Sequence, residues 1–168
     1  MPVPSPTARI AFREMTTADL DVVVSQLGDP TVMWMVPEPW SREKCRVYIE
    51  ESQAWYRDLG YGPWLLESPD TGEALGQCGI NPVHVEGEPD VEIGYNIRPN
   101  LWGRGLASEA GIAVLEFARS RGVERVIALI DPRNDRSMRT AALIGMHHER
   151  SAVARDKSYA LWAIDLRG

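Results

Sequence analysis

Residues Ile93–Ala118, reading IGYNIRPNLWGRGLASEAGIAVLEFA, decide how the rest of this 168-residue chain is read. The approach to that stretch alternates. Val91, Ile93, Tyr95 and Ile97 fall on one face, with Glu92, Gly94, Asn96 and Arg98 on the other, which is the period of a strand. Pro99 has no amide to give a ladder, so the strand ends at Arg98-Pro99-Asn100. After Trp102-Gly103-Arg104-Gly105 the period changes. Leu106, Ala110, Val114 and Phe117 recur at spacings of three and four, as on the buried stripe of a helix. A glycine-rich turn between strand and helix leaves several N–H groups without intrahelical partners, and the helix dipole adds positive potential there. Such a turn suits a phosphate or diphosphate, because Gly103 and Gly105 hold no side chain between anion and amides. A tight turn that binds nothing can carry the same letters.

Two sharper phosphate motifs fail on the sequence. A Rossmann turn wants a third small residue where Ser108 stands, and an acid at a strand end about 20 residues on, where Glu124 instead begins a strand. A Walker A loop would end in Gly-Lys-Ser/Thr, which is absent.

Working outward, Ala8–Arg13 is expected as a strand, and Thr16-Thr17-Ala18-Asp19 caps a helix over Leu20–Leu27. Trp34-Met-Val-Pro-Glu-Pro-Trp40 is too proline-rich for a regular element and is expected as a loop. A second helix runs from Ser41 to about Leu59, closed by Gly60. Strands over Tyr61–Glu67 and Ala74–Asn81 are followed by a linker, Val83–Pro89, into the deciding strand. Beyond its helix, Gly122 precedes Val123–Ile130, an apolar run typical of a strand buried on both faces. Asn134–Gly145 is a last helix, capped by Asn134 or Asp131. Met146–Val153 and Ser158–Asp165 close the chain as strands. These elements make an α/β (α+β) domain, a mixed sheet of six or seven strands with helices on both faces. Residues 1–7 are expected as a flexible lead-in and 8–168 as one domain.

Composition is that of an ordinary globular protein, 44% apolar and 25% charged. A net charge of −6 argues against general nucleic-acid binding. The charge is uneven: residues 98–139 hold eight arginines against five acids, so the rest of the chain is near −9. A positive segment around a phosphate turn suits an anionic cofactor paired with an amine substrate, although charge runs are also simply solvated faces. Cys45 and Cys78 are far apart and without metal spacing, which points to a reduced, cytoplasmic protein. His84 stands alone and His147-His148 are adjacent, so no metal site is expected. No run reaches about 18 apolar residues, and the start lacks a signal peptide's pattern, so no membrane partner is expected.

Trp102–Ala107 resembles the acyl-CoA diphosphate loop of the GNAT superfamily of N-acyltransferases, Gln/Arg-x-x-Gly-x-Gly/Ala, with Gly105 and Ala107 on its last two positions. Trp102 stands where Gln or Arg is usual. That exchange, followed by G-x-G-x-A-x-E-A, is similar to the RimJ/RimL-like branch, which acetylates protein N-termini. Asn134-Asp135-Arg136-Ser137…Ile144-Gly145-Met146 resembles that branch's Asn-x-x-Ser…Leu-Gly-Phe helix.

The resemblance implies a GNAT-like, mostly antiparallel sheet with a splayed acyl-CoA cleft. Its gap would open between the strand after the lead-in and Val123–Ile130, with Gly94 as the place for a distorting bulge. It implies acetyl-CoA as cofactor, bound through Tyr95, Ile97, Trp102, Gly103, Arg104, Gly105, Leu106, Ala107, Ser108, Asn134 and Ser137. It also implies direct attack by an amine, without a covalent enzyme intermediate.

The chemistry needs an ammonium of pKa roughly 10 to lose a proton and a thiolate to be stabilised as it leaves. Glu92 is the first candidate for base, with Asp156 and Glu149 behind it; a plain strand glutamate is the alternative. The tyrosine that many GNAT enzymes place seven residues after the motif Asn is Ala141 here, which leaves Ser137 to bond the sulfur. Trp34 and Trp40 are candidate acceptor contacts. The acceptor is left as a protein N-terminus or a small-molecule amine, and a homodimer stays open. A GNAT-like module that binds acyl-CoA without turnover is the alternative function. A third reading is an interaction protein that uses Trp34 and Trp40 as an apolar patch.

Overall fold

The computed structural model describes residues 2–167; Met1, counted in the lead-in, and Gly168, the end of the expected domain, lie outside the described residues. The order is β1 (Ala11–Arg13), α1 (Leu20–Leu27), α2 (Arg42–Leu59), β2 (Pro63–Glu67), β3 (Ala74–Val85), β4 (Glu88–Ile97), α3 (Leu106–Ser120), β5 (Arg125–Ile130), α4 (Asp135–Leu143), β6 (His147–Ala154) and β7 (Lys157–Asp165). The seven strands form one sheet in the order β1-β2-β3-β4-β5-β7-β6. Every pairing is antiparallel except β4 with β5.

Alternation along the strands puts helices on both faces. Trp64 and Leu66 join the large core under α3, while Leu65 between them packs with Val23, Leu27, Cys45 and Ile49 of α1 and α2. Val126 and Ala128 likewise face the α3 and α4 side, and Ile127 faces the other. The expected helix stripe is buried in full: Leu106, Ala110, Val114 and Phe117 all belong to the main core. Ser41 caps α2 by accepting from the Lys44 N–H, and Gly60 ends it at φ 75°, as read from the letters.

Three expectations are corrected. The linker Val83–Pro89 is a hairpin: β3 and β4 pair from Gly76↔Ile97 to Val85↔Glu88, and Glu86 and Gly87 turn the chain at φ 52° and 87°. Positive φ at both turn residues matches the twist of a two-residue hairpin. Gly94 carries no bulge, because the ladder passes unbroken through Gly79↔Gly94. Nor does β1 border the gap. It lies at the far edge of the sheet beside β2, and the strands that part are β4 and β5.

The expected lead-in lies against the domain. Pro4 is buried, Val3 packs on the main core, and Thr7 Oγ1 donates to Glu109 at 2.5 Å.

Candidate active site

β4 and β5 touch at a single bridge, Glu92↔Ile127. Each strand is fully paired on its other side, β4 with β3 and β5 with β7. Beyond the bridge the facing edges have no ladder between them. A cleft of about 700 Å³ occupies the space and runs from Glu92 to the turn before α3. An unpaired strand edge offers N–H and C=O groups to an extended ligand, as it would to another strand.

The turn at the outer end has the form an anion needs. Gly103 and Gly105 both adopt left-handed backbone, φ 76° and 78°. A Cβ on Gly103 would meet nothing within 4 Å, and one on Gly105 only Arg9 and Ser108 side chains at 3.7 and 3.9 Å, so both open onto free space. Gly105 is the N-cap of α3 and, having no side chain, leaves the first-turn amides uncapped. Ser108 Oγ donates back to the Gly105 carbonyl at 3.0 Å and steadies the turn. Glu109, an acid in this first turn, is held on the outer side by Arg9 and Thr7. Arg9 also donates to the Arg104 carbonyl at 2.9 Å, which ties the N-terminal segment to the turn.

Trp102 folds back so that its Nε1 donates to the Ile97 carbonyl at 2.7 Å, at the end of β4. Across the cleft, Tyr95 Oη donates to the Ser137 carbonyl at 2.7 Å and fastens the first turn of α4 to β4. Burial pushes the Tyr95 phenol above its ordinary pKa, so it remains a donor at any physiological pH. Asn134 is the cap of α4: its Oδ1 accepts from the Ser137 N–H at 3.1 Å, and its Nδ2 donates to Met35 Sδ at 3.2 Å. Asp131 is not the cap. Ala141 is fully buried in the core and does not line the cleft, whereas Ser137 does.

At the inner end Glu92 is 8% exposed and forms an ion pair with Arg155 from the β6–β7 turn. Beside it, Asp131 accepts from Arg133 Nε and Nη2, both at 2.9 Å, and from Lys157 Nζ at 2.8 Å. The Arg133 guanidinium, aided by Lys157, holds the Asp131 carboxyl far below the usual carboxylate range against the opposing effect of burial. Lys157 Nζ also reaches the Met35 carbonyl at 3.4 Å. Met35 is thus fixed to β5–α4 through Asn134 and to β7 through Lys157, and it brings Val32 and Val36 to the cleft wall.

The structure gathers Glu92, Tyr95, Ile97, Trp102 through Ser108, Asn134 and Ser137 around this one cleft. It does not bring Trp34 or Trp40 to it. Trp34 is 41% exposed with Arg133 near its ring, and Trp40 packs edge-on against Tyr48 under Lys44. Their loop contributes aliphatic and thioether side chains instead. The reserve bases also lie elsewhere: Glu149 pairs with Arg125, and Asp156 is an exposed residue of the β6–β7 turn at φ 58°. Sequence reasoning did not find Arg155, Lys157, Tyr159, Met35 or Arg136 as wall residues. No local pattern marks them, since their partners stand tens of residues away.

The sequence profile of the acetyltransferase (GNAT) domain family matches residues 9–147. An uncharacterised protein of Bacillus subtilis, YkkB, is 35% identical over 158 residues, 93% of this chain and 92% of that protein. The L-methionine sulfoximine/L-methionine sulfone acetyltransferase of Pseudomonas aeruginosa is 28% identical, over 82% of this chain and 76% of its own length. The crystal structure of an acetyltransferase from Agrobacterium tumefaciens has the same fold at TM-score 0.84 and 22% identity, covering 98% of this chain and 95% of its own.

Proposed function

The chain belongs to the GNAT acetyltransferase family, so it is an acetyltransferase whose donor is acetyl-CoA, and we propose that its acceptor is the primary amine of a small molecule. The observation that carries this reading is the lone bridge Glu92↔Ile127. It sets a carboxylate at the vertex of the V between β4 and β5, while the anion-binding turn follows the outer end of the same β4.

In this reading the amides of the turn and of the first turn of α3 hold the donor's diphosphate. The pantetheine arm lies along the open edge of β4, and the thioester arrives near Glu92. Glu92, directly or through a water, takes the ammonium proton, and the free amine attacks the carbonyl. N–H groups of β4 near Gly94 and Tyr95 polarise that carbonyl. As the C–S bond breaks, Ser137 Oγ hydrogen-bonds the departing thiolate, which leaves as CoA. No acyl-enzyme forms.

The acceptor enters past Val32, Met35 and Val36. Two polar contacts to Met35 hold this wall over the inner end, and that favours a small amine over the end of a polypeptide. The relative that acetylates methionine sulfoximine and methionine sulfone is consistent with this choice. Placement in the RimJ/RimL-like branch rests on Trp102–Ala110 and on Asn134 with Ser137, and it describes descent more than acceptor. The two buried free cysteines, Cys45 and Cys78, fit work in the reducing cytoplasm.

The test is release of CoA thiol from acetyl-CoA with a panel of amines: amino acids and their derivatives, polyamines, aminoglycosides and short peptides with free N-termini. Turnover of small amines with inert peptides is expected. Turnover of peptides alone would overturn the choice of acceptor.

A further inference from the structure

In this acidic chain the arginines are mostly spoken for. Arg13 pairs with Asp19 and Glu67, Arg125 with Asp90 and Glu149, Arg155 with Glu92, and Arg9 with Glu109. Among the described residues, the three cleft-lining arginines at the outer end, Arg104, Arg136 and Arg139, have no carboxylate within 4.0 Å. Outside the cleft only Arg119 and Arg121 share that condition, and Arg119 is bonded to the Leu166 carbonyl.

Arg136 is the most ordered of the three. It stands in the first turn of α4, and its guanidinium carbon lies 3.4 Å from the centroid of the Trp102 ring. The indole is itself fixed by its bond to the Ile97 carbonyl. The guanidinium therefore rests on a rigid platform, one face covered, its N–H edge still without an acceptor. Covering it without a counter-ion also lowers its pKa from the ordinary arginine value, the opposite of what Arg13 and Arg125 experience beside their carboxylates. Stacking a charge without pairing it makes sense where an anion is still to arrive. The Trp102–Arg136 stack joins the loop before α3 to the start of α4, the two walls between which the nucleotide half of the donor would lie.

We propose that Arg136, held flat on Trp102, binds a phosphate group of acetyl-CoA and closes the positive end of the cleft from the α4 side. The proposal rests on the donor lying in this cleft. Its ligand is a phosphate oxygen, of the 3′-phosphate or of the diphosphate. A planar fork on a fixed ring loses little freedom on binding, so it adds affinity where a free lysine would add less.

Titration calorimetry on the full chain tests it, with Gly105→Val as the control for the site itself. Arg136→Gln is expected to weaken acetyl-CoA binding roughly tenfold to a hundredfold, the usual range for a charge-assisted hydrogen bond. Its ligand-free melting temperature should match wild type, because this exposed side chain has no other hydrogen-bond partner. With S-acetyl-pantetheine, which has no nucleotide, its kcat/KM should equal wild type. Dephospho-CoA separates the two phosphates: a deficit that disappears with it assigns the 3′-phosphate, and one that persists assigns the diphosphate. Trp102→Leu should weaken binding several-fold alone and add little to Arg136→Gln.

If Gly105→Val loses binding while Arg136→Gln stays within twofold of wild type, the proposal is overturned and the cleft assignment stands. An equal deficit with S-acetyl-pantetheine also overturns it. If Gly105→Val binds normally, the site reading itself is wrong.

Discussion

Glu92 and Ile127 are the last partners that β4 and β5 share, and the carboxylate at that junction is bound to Arg155 from a third strand's turn. A buried acid at the point where two strands part has two consequences. It marks the inner limit of any ligand that runs along the open edge. It also carries an ion pair whose removal costs stability, so activity and stability must be measured together for every substitution there.

Gly105→Val tests the outer end. The substitution forces a β-branched residue into left-handed backbone and fills the open space over the α3 amides. Backbone strain should lower stability by about 1–3 kcal/mol. Wild type at 100 times Kd of acetyl-CoA should gain about 2.7 kcal/mol, visible as a rise in melting temperature. The mutant should show almost no such rise, in a thermal-shift titration.

The acceptor wall should depend on Met35 and not on Trp40. Met35→Ala removes a side chain that lines the cleft and accepts from Asn134. It should raise acceptor KM with little change in acetyl-CoA Kd. Trp40→Ala strips the ring from Tyr48 and Lys44 and should cost about 2 kcal/mol or more of stability, with acceptor KM unchanged. Steady-state kinetics beside a urea melt separate the two.

Asp131 predicts a pH effect. Its folded-state pKa is depressed, chiefly by Arg133, so the stabilisation it gives is present above the unfolded value near 4 and is lost as pH falls toward the folded one. Asp131→Asn should lower the melting temperature at pH 7. The gap from wild type should narrow in acid below about pH 4. A gap independent of pH would mean that packing, and not the charge, is what Asp131 supplies.

Much of this site was readable because it is local. Gly103, Gly105 and the α3 stripe lie within a few residues, and strand, turn and helix periods report their own geometry. The inner end is assembled from afar: Lys157 meets Asp131 across 26 residues, and Met35 meets Asn134 across 99. No spacing rule spans such distances. Val83–Pro89 misled because its prolines looked like a linker, while Glu86-Gly87 made the turn. Trp34 and Trp40 drew attention as large residues in an irregular loop, yet the smaller neighbours between and before them face the cleft. Gly94 was read as a bulge because the sheet had to open. The opening comes instead from β5 diverging, which leaves β4 straight against β3.

The most direct test of the central claim is kcat/KM against pH for wild type, Glu92→Gln and Arg155→Gln with one amine. If Glu92 takes the ammonium proton, Glu92→Gln should lose about 10²–10⁴-fold near neutral pH. The deficit should shrink as pH climbs toward the amine's own pKa, roughly 10, where the acceptor arrives already deprotonated. Arg155→Gln, which leaves the carboxylate in place, should lose less and show no such recovery. Equal, pH-independent losses in both variants would contradict the account and leave Glu92 as one half of a structural ion pair.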